Sequence, residues 1–108
     1  MLCGALDAPE LDQAGVRELG DRARGKLKDA AYAILGRQDG RVPFVVVCDG
    51  EALARGLKAG DIAGLLKRHL GGGGGGKPAL AQGAGQDAEA VPAALAGLDE
   101  LFAGALKV

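Results

Sequence analysis

Apolar and polar positions alternate along this chain in patterns that predict a mixed α and β fold. Leu2 to Ala5 is apolar and short, as for a strand. Asp7-Ala8-Pro9-Glu10 has the character of a helix start: Asp7 can cap, Pro9 sits where a missing N–H costs little, and Glu10 can reach back. Val16, Leu19, Ala23 and Leu27 then recur at helical spacing, with Arg17, Asp21, Arg24 and Lys28 on another, polar face. Gly15, Gly20 and Gly25 each weaken that helix by about 1 kcal/mol relative to Ala, so packing must hold it.

A hairpin follows. Tyr32 to Arg37 reads as extended, Gln38-Asp39-Gly40 as its turn, and Val42 to Cys48 as the return strand. The run Phe44-Val45-Val46-Val47 predicts a strand covered on both faces, and Pro43 must lie at its beginning or at a bulge. Glu51 to Gly56 can form a helical turn. Gly60-Asp61 opens a second helix whose stripe is Ile62, Leu65, Leu66 and Leu70, stopped by Gly71. Six consecutive glycines, Gly71 to Gly76, are read as a loop, and Lys77 to Gly85 as extended chain with a tight turn. A last helix begins near Asp87, with Leu95, Leu98, Phe102 and Leu106 as its buried stripe. Pro92 there requires a distorted first turn or a start near Val91.

The expected architecture is therefore α/β (α+β): a small mixed sheet packed by three helices, one globular domain over residues 1–108, and a Gly-rich loop. With 108 residues there is room for one core and none for an interdomain cleft. Aromatics are 3% of the chain, so the core must be built from Ala, Leu, Val and Ile, and base stacking is not available as a main binding mode. No apolar run approaches the roughly 18 residues that span a bilayer, and Met1 to Glu10 lacks the basic start of a signal peptide. No membrane association is expected. Cys3 and Cys48 lie far apart without metal-ligand spacing, which fits reduced, buried thiols in a cytoplasmic protein.

The net charge of -1 hides an uneven distribution. Arg55, Lys58, Lys67, Arg68 and Lys77 face only Asp61 across residues 55–85, so the middle of the chain is a basic island between two acidic thirds. It reads either as a solvated helix face or as an anion footprint. His69, within it, fits a residue packed at the edge of the core better than a catalytic base.

Three readings of the glycine run compete. A flexible linker should join two domains, and the helix after it is too short to stand alone. A nucleotide phosphate loop matches G-x-x-x-x-G-K from Gly71 to Lys77, but Pro78 stands where Ser or Thr would hold Mg²⁺. A structured loop whose bare backbone approaches a partner closely is the third.

The run Gly71 to Gly76, then Lys77-Pro78, then Ala81-Gln82-Gly83-Ala84-Gly85, resembles the signature near the end of alanyl-tRNA synthetases. Lys58-Ala59-Gly60-Asp61 with its helix, and Asp87 with its Ala/Leu helix, fit the same pattern. The resemblance covers essentially the whole chain and is to the C-terminal domain, C-Ala, which is similar to the domain accompanying DHH-family phosphoesterases and exonucleases. One departure is Gly73, where members often carry a basic residue; Lys77 is left as the loop's only charge.

The resemblance implies a non-catalytic module that contacts the outer corner of tRNA, where the D and T loops meet, and helps couple aminoacylation to editing. Its implied partners are alanine tRNA and the other domains of the synthetase, which hold the ATP site, the editing zinc and the ligase chemistry. No cofactor is implied here. Binding would use phosphate contacts and shape. The candidate residues are Gly74, Gly75, Lys77 and Gln82 in the glycine segment and Lys67 and Arg68 on the helix before it, with Arg17, Arg24 and Lys28 behind them. Gln82 has an alternative role, satisfying loop backbone groups. Two other functions stay open: a homo-oligomerisation module pairing through an Ala/Leu-rich helix face, and a phosphate- or nucleotide-handling enzyme using the glycine loop.

Overall fold

Val42–Cys48 (β3) is buried at all seven positions because it is the middle strand of a five-stranded sheet with helices on both faces. In a computed structural model, which describes residues 2–106 and the side chains of 3–105, the other strands are Leu2–Asp7 (β1), Ala30–Leu35 (β2), Gly73–Gly76 (β4) and Leu80–Gly85 (β5). The helices are Gln13–Lys26 (α1), Glu51–Ala54 (α2), Ala59–Leu70 (α3) and Val91–Leu106 (α4). The strand order is β1-β2-β3-β5-β4. β1 and β2 run parallel, with α1 as the crossover that parallel pairing requires; all other pairs are antiparallel.

Strand parity sorts the core into two layers. Ala31, Ala33, Leu35, Phe44, Val46, Cys48 and Ala81 pack against Ile62, Leu66 and Leu70 of α3 and Val91, Ala94, Leu98 and Phe102 of α4. Tyr32, Ile34, Val45 and Val47 point the other way, onto Val16, Leu19 and Ala23 of α1. Gly20 is as close to the sheet as helix packing allows, since a Cβ there would stand 2.9 Å from the Val45 side chain. The predicted stripes of α3 and α4 are the ones turned inward, with Leu65 and Leu95 half-buried and the Leu106 side chain outside the described residues; of the α1 stripe Val16 is buried, Leu19 and Ala23 are half-buried, and Leu27 is exposed because the helix has already ended and Leu27 is its C-cap. The hairpin closes at Asp39 (φ 52°) and Gly40 (φ 78°), the pair of positive angles that a two-residue turn matching strand twist needs.

Three expectations change in detail. The first helix begins at Gln13, not near Pro9, and its cap is Asp12, whose carboxylate accepts from the Gly15 N–H at 2.8 Å. Asp7 is instead the last residue of β1, in register with Leu35, and pairs with Arg37 at 2.9 Å. Among the described residues there are four α-helices rather than three, because Glu51–Ala54 closes a single turn whose Glu51 N–H donates to the Asp29 carboxylate at 2.8 Å. The glycine run is not a loop throughout: Gly73–Gly76 pairs with β5 as an edge strand.

Candidate nucleic-acid interface

α3 turns one polar face outward. Gly60, Asp61, Gly64, Lys67 and Arg68 lie at helical spacing on it and, with Gly72, line an open groove of about 720 Å³. Gly60 and Gly64 have no side chains to fill the groove; its cations, Lys67 and Arg68, stand in the last turn of α3 and its one carboxylate, Asp61, in the first.

β4 runs on directly from Gly72 at the rim of the groove. All four of its residues are exposed and none has a side chain. Lys77 and Leu80 exchange both backbone hydrogen bonds across the β4–β5 turn, so ladder alternation aims the backbone groups of Gly74 and Gly76 away from β5. The outward Gly74 carbonyl is taken by Lys67, whose ammonium donates to it at 2.7 Å. The bond leaves Lys67 two further donors and holds its charge on the strand edge. Arg68 is exposed beside it and makes no ion pair among the described residues.

Gly74 sits at φ 146°, and a Cβ there would stand 2.6 Å from the Gly83 Cα and 2.7 Å from the Gln82 carbonyl oxygen. Gly74 and Gly83 are partners in register, and the two backbones close on each other because neither carries a side chain. Gly75 differs: a Cβ there meets nothing within 4 Å.

The remaining sequence candidates distribute around this edge. Lys77 is exposed at the tip of the β4–β5 turn. Lys58 joins it, because the Ala59 N–H donates to Pro78 at 2.8 Å and brings the start of α3 to that turn. The helical period of residues 60 to 68 was the available signal for the α3 side of the groove; Lys58 was visible as a member of the basic island, and its place beside the β4–β5 turn comes from the Ala59–Pro78 bond. Gln82 points to the opposite face of the sheet, toward α1, where its Oε1 accepts from Arg17 Nε at 2.7 Å. It satisfies a side chain, not the loop backbone. Arg24 and Lys28 gather at the far end of α1, where Lys28 donates to the Arg24 carbonyl at 3.3 Å; burial raises the Tyr32 hydroxyl above its ordinary range, and the Arg24 charge only partly opposes this. His69 is exposed and lies across Gly97 of α4.

The thiols stand apart from all of this. Cys3, Ala31 and Cys48 are in register across β1, β2 and β3, so the cysteines are two strand spacings apart, about 9.5 Å, beyond the roughly 7 Å limit for a disulfide. Burial pushes the Cys48 thiol up to about 11, with Cys3 adding to the effect; Cys3 is raised by burial as well. Among the described residues no group of three His, Cys, Asp or Glu side chains could hold a metal ion. No described helix is long and apolar enough to cross a membrane.

Similarity to known proteins agrees with this fold. The DHHA1 domain matches residues 3–104. Alanine–tRNA ligase of Nocardia farcinica is 43% identical over 99 residues, covering 89% of this chain and 11% of that protein. The enzyme of Acidothermus cellulolyticus is 41% identical over 105 residues, covering 95% of this chain and 12% of its own length. This chain thus spans about a tenth of the relatives it matches. The crystal structure of the C-Ala domain from Aquifex aeolicus alanyl-tRNA synthetase superposes with a TM-score of 0.74 at 29% identity, over 92% of this chain and 87% of that one. A βαβ unit extended by an antiparallel hairpin and a glycine edge strand, matched over nearly its whole length, places this chain in the DHHA1 domain family.

Proposed function

We propose that residues 1–108 form one non-catalytic tRNA-binding domain that contacts the outer corner of alanine tRNA and, joined to the other domains of a cytoplasmic alanyl-tRNA synthetase, helps hold one tRNA for both aminoacylation and editing. The observation that carries this reading is the bare backbone edge of β4 with Lys67 and Arg68 at its side. An edge without side chains lets RNA approach to backbone distance, and the cations supply phosphate contacts where they do so. The described aromatics are buried, so stacking contributes nothing to the mode. The domain requires no cofactor.

Because the chain is net negative, its attraction for RNA is local, and affinity for a free tRNA should be weak, on the order of tens of micromolar. Tethering to a chain that already holds the tRNA raises the effective concentration enough for such weak binding to matter. The test is fluorescence anisotropy of a labelled alanine tRNA transcript against a minihelix that keeps the acceptor stem and lacks the D loop. Binding of the full transcript and loss of binding to the minihelix is expected. Equal binding of both would remove the outer corner from the proposal.

A further inference from the structure

The glycine edge is flanked by a positioned cation on each face of the sheet. On the α3 face, Lys67 holds its ammonium at the Gly74 carbonyl. On the α1 face, Arg17 reaches across the sheet to Gln82, which is paired in register with Gly75 of the edge strand. Arg17 and Gln82 are 65 residues apart in sequence, and the hollow they share is lined also by Asp21, Val45 and Leu80.

The chemistry of this pair differs from that of a structural ion pair. The Nε–H of Arg17 is satisfied at 2.7 Å by a neutral amide oxygen, which fixes the guanidinium plane without cancelling its charge. Its two terminal nitrogens keep their four donors, the fork that suits a phosphate. Asp21 stands at i+4 from Arg17 and lines the same hollow, yet no ion pair forms between them. Arg17 and Lys67 thus hold opposite faces of the β4–β5 pair, one through Gln82 of β5 and the other through Gly74 of β4.

We propose that β4 is a blade that RNA straddles, with Arg17 contacting a phosphate on the α1 side, Lys67 and Arg68 contacting a neighbouring phosphate on the α3 side, and Gln82 acting as the positioning residue for Arg17. The inference rests on the tRNA reading above and adds to it a second face. The two faces are separable because each cation reports independently in the salt dependence of binding.

The experiment measures binding of the alanine tRNA transcript by anisotropy from about 50 to 200 mM salt. Removing the partner of one phosphate flattens the log–log slope by about 0.9 for duplex or about 0.7 for single-stranded RNA. Arg17→Gln and Lys67→Gln are each expected to flatten it by one such step, and the double variant by two. Gln82→Met keeps shape and charge but frees the guanidinium; affinity should fall about three- to tenfold with the slope nearly unchanged. In the Arg17→Gln background, Gln82→Met should have no further effect. If Arg17→Gln matches wild type in affinity and slope while Lys67→Gln does not, RNA touches the α3 face alone; the two-sided arrangement is overturned and the tRNA reading stands. If Gln82→Met is silent while Arg17→Gln is not, the positioning role is overturned. If the wild-type chain binds no tRNA even at the lowest salt, both readings fall.

Discussion

Two adjacent glycines in β4 allow the backbone-approach idea to be separated from simple structural need. Gly74→Ala places a Cβ 2.6 Å from the Gly83 Cα at φ 146°. The obstacles are backbone atoms of β5, which cannot swing aside as a side chain would. A non-glycine residue in such a conformation costs on the order of 1–3 kcal/mol. For a chain of this size that lowers the melting temperature by roughly 4–8 °C per kcal/mol, so about 10 °C is expected. Gly75→Ala is the opposite case: its Cβ meets nothing within 4 Å and no positive φ is required. Ala there should be neutral or stabilise by about 0.5 kcal/mol through the unfolded chain. By register with Gln82, its methyl projects on the α1 face beside Arg17, where RNA is proposed to lie. Pushing the RNA back from that surface should weaken tRNA binding about tenfold, or about 1.4 kcal/mol. Circular-dichroism melts and anisotropy titrations on the same preparations supply both readouts. If Gly75→Ala binds like wild type, nothing approaches that face of β4. If Gly74→Ala melts like wild type, the strand is not pressed onto β5 as described.

Three further outcomes are expected. Asp12→Ala removes the cap of α1 and should cost about 1 kcal/mol, a fall of roughly 4–8 °C in melting temperature, whereas Asp7→Ala removes only a half-exposed pair with Arg37 and should cost less. Burial raises the Cys48 pKa to about 11 from the thiol's usual 9.0, so the folded state holds that proton more tightly than the unfolded one. Its contribution to stability is complete below pH 9.0 and is lost as pH rises through about 11, and chemical unfolding of Cys48→Ala should show a smaller decline over that window than wild type does. On the non-catalytic reading proposed above, the purified chain should neither form alanyl-adenylate nor deacylate mischarged tRNA; turnover above a mock preparation in a pyrophosphate-exchange or deacylation assay would refute that reading.

What the sequence determined by itself was every element with a side-chain period or a turn chemistry of its own. The unbroken apolar run of β3 required cover on both faces, Asp39-Gly40 required a tight hairpin, and the stripes of α3 and α4 required one packed side each. Lys67 and Arg68 were legible as cations on the helix before the glycine run, but the groove they share with Gly60, Asp61, Gly64 and Gly72 was not, since it needs Gly72 folded back beside α3. The tertiary structure decided where local signals tied or were silent. Asp7 and Asp12 can both cap a helix, and the choice fell to Asp12 because β2 recruits Asp7 into parallel pairing. A glycine homopolymer has no period at all; it became a strand because β5 offers a ladder on one side and Lys67 an ammonium on the other. The side on which Gln82 works depends on strand parity, which flips with a one-residue shift in register, so its meeting with Arg17 exists only once β3, β4 and β5 are aligned.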